Sequence, residues 1–246
     1  MYTAHFRTSA GTGTSRTVLE CSRNELEIPP ICPRMDVERE IWEIKMRASP
    51  DVRGRARATV ITLLTDFGHR DPYVGIMKGV ILGINPQARL VDLTHHIEPQ
   101  AIPQAALALR TAWRHFPRGT VHLCVVDPGV GSGRAPVALS AGGHLFVGPD
   151  NGVFTSVLDR YPGGAVHRIE AEAYRLPDVS QTFHGRDIFA PAAAWLSLGV
   201  PISAMGAPLI APVRLMFPAP RQEANDWYGE VLYIDTYGNL VTNLPA

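Results

Sequence analysis

From residue 59 onward the apolar positions gather into short continuous runs separated by amphipathic stretches. The first run, Thr59–Thr65 (TVITLLT), is β-branched and leucine-rich without alternation, as expected of a strand buried on both faces. It ends at Asp66-Phe67-Gly68. Pro72 then opens a helical segment running to about Gly83, with Asp71 placed as its N-cap. Ala88–Leu93 predicts a second strand, residues 100–114 a helix that ends before Pro117, and Thr120–Val126 a third buried strand. This β-α-β-α-β order implies parallel strands, right-handed crossovers and an α/β fold with a doubly wound, mostly parallel sheet.

Residues 136–148 predict a hairpin around Ala141-Gly142-Gly143, and Arg186–Leu198 a helix closed by Gly199 and Pro201. After the proline-rich stretch Pro208–Pro220 the pattern changes. Trp227–Ile234 alternates like a strand, with Leu240–Leu244 as its partner across Thr236–Asn239. That pattern is expected to begin a truncated C-terminal all-β domain. The expected division is therefore a disordered leader over 1–58, an α/β domain over 59–215, and an incomplete β domain over 222–246. The leader is rich in Thr, Ser, Arg and Pro, and only Asp36–Met46 suggests a short amphipathic helix.

Charge changes the picture by exclusion. The 23 basic and 23 acidic residues cancel, so no excess positive field is available for a nucleic-acid backbone. Lys45 and Lys78 are the only lysines. Arginine otherwise supplies the positive charge along the whole chain, which reads as a composition bias. Cys21, Cys32 and Cys124 have no metal-type spacing, and Cys124 lies in an apolar run as a small core residue. No apolar run reaches the roughly 20 residues that a membrane helix needs. The N-terminus lacks the apolar stretch of a secretory signal. A cytoplasmic protein is expected.

The strand ends carry the candidate chemistry, because ligands of open parallel sheets bind beyond the carboxyl ends of the strands. The first strand delivers Asp66, the second ends near Asp92, His95 and His96, and the third delivers Asp127. Each aspartate taken alone is as well explained by capping a turn. Asp127-Pro128-Gly129-Val130-Gly131 has two glycines that permit close backbone approach, but not the Lys and Ser/Thr of a phosphate-binding Walker loop. Arg134 follows seven positions later, close enough to fold back on Asp127 and hold it ionised. His184 stands just before a helix, where a capping or packing role is the ordinary one.

Six runs taken together carry a resemblance: Leu64-Thr65-Asp66-Phe67-Gly68, Asp71-Pro72-Tyr73-Val74-Gly75, Asp92-Leu93-Thr94-His95, Val126-Asp127-Pro128-Gly129-Val130-Gly131, Pro149-Asp150-Asn151-Gly152 and Thr182-Phe183-His184-Gly185-Arg186-Asp187. In this order, over about 59–246, they resemble the S-adenosyl-L-methionine hydroxide adenosyltransferases, relatives of the bacterial fluorinase and chlorinase. The resemblance implies that water near Asp127, Arg134 and His184 attacks C5′ of the ribose. It implies substrate-binding roles for Asp66 (ribose diol), Asp71 (methionine end), Asp235 and Asn239 (methionine and adenine contacts). It also implies a homotrimer, S-adenosyl-L-methionine as substrate, and no metal or other cofactor.

The halogenases carry a tyrosine where Asp127 stands, and an ionised aspartate there favours water over a halide. Ala135 replaces a second arginine frequent in relatives, which lowers the charge of the loop. Two other readings stay open at the level of sequence. One is a metal-dependent hydrolase built on Asp66, Asp92, His95, His96 and Asp127. The other is a non-catalytic fragment that binds adenosine or S-adenosyl-L-methionine.

Overall fold

The computed structural model describes residues 59–223 and 226–244. The expected leader over 1–58, its Asp36–Met46 helix, Cys21 and Cys32 lie outside the described residues.

Six strands form one sheet: β1 (Val60–Thr65), β2 (Arg89–Thr94), β3 (Val121–Val125), β4 (Pro136–Ala141), β5 (His144–Pro149) and β6 (Ala165–Arg168). Their spatial order is β2-β1-β3-β5-β4-β6, and only β4 runs antiparallel to its neighbours. Four α-helices cross over it: α1 (Tyr73–Ile84), α2 (Ile102–Ala112), α3 (Thr155–Arg160) and α4 (Ala190–Ser197). Every residue of β3 is buried, as its unbroken apolar run requires.

Successive side chains of a strand point to opposite faces, so each central strand feeds two cores. Leu64, Cys124 and Phe146 join Leu109 of α2, Trp113 just after it, and Val157 and Leu158 of α3 in one apolar cluster. On the other face α1 and α4 pack together, and α4 lies against β1, β3 and β5. The sheet is thus covered on both sides, as expected of a doubly wound fold. Burial pushes the Cys124 thiol pKa up, consistent with an inert core residue.

Several local expectations need correction. Pro72, not Asp71, occupies the N-cap of α1, and no side chain caps that end; Asp71 stays exposed. The segment expected from Arg186 begins as a π-helical turn, Gly185–Phe189, before α4. The run Trp227–Ile234 is not one strand. Asp226–Tyr228 (β8) pairs with Arg221–Glu223 (β7), whereas Val231–Ile234 (β9) pairs with Leu240–Thr242 (β10). Gly229-Glu230 separates them, so the alternation spans two hairpins. α3 and β6 were not legible in the pattern.

The hairpin around 141–143 forms as expected. Gly142 and Gly143 have φ of 60° and 83°, the paired positive values that a two-residue type I′ turn demands. This tight reversal makes β4 antiparallel, so its first residue sits at the same rim as the last residues of β3 and β5.

Candidate active site

The order β2-β1-β3 places a topological switch between β1 and β3, where chain connections leave in opposite directions. Thr65 pairs with Val125 across that boundary, so Asp66 and Asp127 leave the sheet on the same rim. Arg134 arrives there from the reversed start of β4. Its Nε lies 2.9 Å and 3.0 Å from the two Asp127 carboxylate oxygens, and its Nη2 donates to Oδ2. Both side chains are more than nine-tenths buried. A bidentate, desolvated pair of this kind fixes the carboxylate's orientation.

His184 joins the pair from 50 residues away in the chain. Its Nδ1 lies 2.8 Å from Arg134 Nη2. A guanidinium only donates, so Nδ1 must be the acceptor and the neutral ring carries its proton on Nε2. Burial, followed by the Arg134 charge, holds the His184 pKa below its ordinary value, against the opposing pull of Asp127, Asp187 and a hydrogen bond to the Ser180 backbone. The neutral imidazole therefore presents an Nε2–H donor. Arg134 also lies over the Phe189 ring at 5.0 Å, and its buried Nη1 has no hydrogen-bond partner.

Two features hold these loops together. The first is Gly131, with φ of 75°. A Cβ there would stand 2.5 Å from the Gln181 carbonyl oxygen, so only glycine lets the 127–134 loop lie against the 180–187 loop. The second is Asp187, a fully buried carboxylate. It accepts from Ser180 N at 2.8 Å and from Arg186 Nε at 2.5 Å, tying together the two ends of the loop that carries His184. Burial opposes its ionisation, but the bonds from Arg186 and Ser180 leave its pKa lowered. Phe67, Tyr73 and Phe183 form a triangle of edge and tilted ring contacts that joins this loop to the segment after β1.

The sequence assigns no individual role to Asp187 or Phe189, whereas Gly131 was one of the two glycines expected to permit close backbone approach. The Thr-Phe-His-Gly-Arg-Asp run was the signal that could have singled out Asp187. Pro149-Asp150-Asn151-Gly152 proves to be a lock for the rim. Asn151 Nδ2 donates to Val126 O at 2.9 Å, and Asp150 Oδ1 accepts from Val213 N.

The remaining candidates separate. Asp66 sits at the rim and accepts from Gln100 N at 2.9 Å. Gln100 has φ of 67°, a strained value for a side-chain-bearing residue. Asp235 and Asn239 are engaged with each other in the β9–β10 turn. Asp235 Oδ1 accepts from Asn239 N, and Oδ2 from Asn239 Nδ2 at 2.7 Å. The five groups of the metal-hydrolase alternative do not converge. Asp92 is held by Lys78 at 2.7 Å and has His95 Nε2 at 3.0 Å, while Asp127 is held by Arg134. Among the described residues no group of three or more His, Cys, Asp or Glu is arranged to hold a metal.

Known proteins match the chain across this rim and the sheet beneath it. A family model described as the SAM hydroxide adenosyltransferase N-terminal domain matches residues 61–206. The chain is 42% identical over 184 residues to a Salinispora tropica protein named (R)-S-adenosyl-L-methionine hydrolase, covering 73% of this chain and 70% of that one. It is 41% identical over 191 residues to a Thermus thermophilus protein of the same name, covering 75% and 74%. Among solved structures, an uncharacterized conserved protein from Thermotoga maritima superposes with a TM-score of 0.73 at 42% identity, over 75% of this chain and 71% of that one.

Proposed function

Because the chain belongs to the S-adenosyl-L-methionine hydroxide adenosyltransferase family, we propose that it is an enzyme that hydrolyses S-adenosyl-L-methionine to adenosine and L-methionine. Water attacks C5′ of the ribose in line with the C–S bond. The observation that carries the reading is the buried Asp127–Arg134 pair, with His184 against it, at the switch point of the sheet.

The chemistry divides unevenly. The leaving group is a neutral thioether departing from a sulfonium, so it needs no acid and the reaction needs no cofactor. Water is the poor partner. A typical aspartate with pKa near ~4 cannot release free hydroxide from water at ~15.7; the gap of about 12 units is roughly 16 kcal/mol. Asp127 instead orients the water and takes its proton late, as the C–O bond forms. General-base help of this kind is worth about 10²–10⁴ in rate. Alignment along the C–S axis supplies more, up to ~7–11 kcal/mol.

The arrangement of donors and acceptors supports this division. Arg134 holds the Asp127 carboxylate still through paired hydrogen bonds. His184 Nε2–H donates to one lone pair of the water oxygen in exchange for its bond to the Ser180 backbone, and leaves the other lone pair for C5′. The fixed negative charge of Asp127 disfavours a halide in the same place. Asp66 has a carboxylate oxygen, Oδ1, opposite the one bonded to Gln100, suited to the ribose diol, because one carboxylate accepts both hydroxyl protons. Asp71 is assigned to the methionine end, where its exposure leaves it free for the ammonium group. Asp235 and Asn239 reach substrate only if their mutual bonds exchange for substrate bonds.

A homotrimer belongs to the same reading, with one subunit's β hairpins closing the neighbour's site. Exposed Trp227, Tyr228, Val231, Ile234 and Leu240 on those hairpins support it, since apolar surface of that density marks a covered face. Among the described residues no helix is long and apolar enough to cross a membrane. We assign the enzyme to the cytoplasm.

The test is incubation with S-adenosyl-L-methionine in ¹⁸O-labelled water. The label is expected in the 5′-hydroxyl of adenosine, and Asp127→Ala is expected to abolish its appearance. Adenosine without label, or undiminished labelling by the variant, sinks the proposal.

A further inference from the structure

The outer side of the α2–α3 layer holds a second polar depression. Its volume is about 380 Å³, and its lining includes Arg110, Arg114, Arg160, Ser156 and Phe217. None of these residues belongs to the catalytic rim. Arg110 and Arg114 stand one helical turn apart at the end of α2 and in the 3-10 turn that follows it, and Arg160 ends α3. Like charges at this spacing repel. Asp159, the carboxylate that lines the same depression, is taken by Arg214. No carboxylate among the described residues pairs with Arg110, Arg114 or Arg160.

Each arginine alone is accounted for by the negative end of its helix dipole, worth ~0.3–1 kcal/mol. That accounts for three arginines, but not for their convergence on one concavity whose only lining carboxylate, Asp159, is paired with Arg214. A second observation points the same way. Ser156 lines the depression, and its hydroxyl, shielded from water, has no hydrogen-bond partner among the described residues. A shielded, unpaired hydroxyl is unfavourable, and a bound acceptor would relieve it.

We infer that this depression is a binding site for a phosphoryl-type oxyanion, held by the guanidinium forks of Arg110, Arg114 and Arg160 with Ser156 as an added donor. Guanidiniums match the geometry of phosphate oxygens with paired N–H groups, and a concavity of this size takes a small polyvalent anion. Phe217 forms an apolar wall beside them, where the planar face of a nucleotide base would find a contact. The shared chemistry is the phosphoryl group, whether free or carried on a nucleotide.

The test is calorimetric titration of the whole protein with pyrophosphate, inorganic phosphate and adenosine monophosphate, repeated with Arg110→Gln/Arg114→Gln. Both positions are exposed, so the double variant is expected to keep the unfolding midpoint of the parent. Saturable binding of at least one of the three is expected, weakened about tenfold or more in the variant and by added salt. Adenosine monophosphate binding more tightly than phosphate assigns the site to a nucleotide; the reverse order assigns it to the free anion. Absence of saturable binding, or equal affinity in the double variant, overturns the inference. A loss confined to Ser156→Ala, with the arginine variant unaffected, overturns it as well.

Discussion

Arg134 serves three partners at once. It clamps Asp127, donates to Nδ1 of His184 and lies over Phe189. This sets the pH response of the site. His184 has its pKa lowered in the fold, so protonation comes only as the pH falls below the ordinary value of about 6.5. The imidazolium then turns an Nδ1–H toward a guanidinium that cannot accept it. The rate of adenosine formation is therefore expected to be flat above about pH 6.5 and to fall as pH drops through the lowered His184 value. His184→Asn is expected to shift or remove that acid limb, which a pH series of kcat checks. Asp187→Asn should loosen the His184 loop by removing the charge that gathers Ser180 N and Arg186. A lower kcat with a smaller change in KM, and a stability loss of roughly 1–3 kcal/mol by denaturant unfolding, are the expected results. Asp127 and Arg134 were legible as neighbours because seven residues of a glycine-containing loop let them meet. His184 was legible only through resemblance, since no spacing rule joins positions 50 residues apart. The work of Asp187 was not legible, because whether an aspartate faces solvent or a buried pair of donors is decided by packing.

The reversed strand β4 is the element that assembles the rim. Had β4 run parallel, Pro136 would begin at the opposite edge and Arg134 would lie a strand's length from Asp127. Two glycines at positive φ enforce the reversal. Gly131 then lets the 127–134 and 180–187 loops touch. Gly131→Ala is expected to cost about 1–3 kcal/mol through strain at positive φ. It should also lower kcat by pushing the loop that carries His184 away from Arg134. Thermal unfolding and steady-state kinetics on the same variant check both effects. The hairpin was readable because its turn has a rigid local requirement. The central strands were readable because unbroken β-branched runs need burial on both faces. α3 has only six residues, too few to establish a helical period, and β6 has four. The alternation across Trp227–Ile234 misled for a related reason: a period of two continues through a turn when the residues on either side happen to stay in phase.

The molecule as a whole carries several histidines in its interior. His122 bonds Thr62 Oγ1 through Nδ1 and reaches His144 Nδ1 at 3.2 Å. Burial, then the nearby His144, pushes the His122 pKa down to about 3. Burial also lowers His144, with Arg118 adding to the effect, and lowers His95. Unfolded histidines take up protons near pH ~6.5, whereas these do not until lower pH. Their contribution to stability is therefore complete above about pH 6.5 and is lost as pH falls toward the folded values. Denaturant midpoints should decline steadily from about pH 7 to pH 4. His122→Gln is expected to be less stable at neutral pH and to show a shallower decline; an unchanged slope would remove His122 from the account. The chain by itself determined the order of its central elements, the glycine-coded reversal and the acidic strand ends, because backbone geometry and burial on two faces are properties that a few consecutive residues impose on themselves. Tertiary structure alone decided which charged groups would meet, which carboxylates would be engaged by backbone donors, and which arginines would be left without a carboxylate. Those outcomes depend on desolvation and on distances between residues far apart in the chain, and neither quantity exists until the sheet closes between its helices.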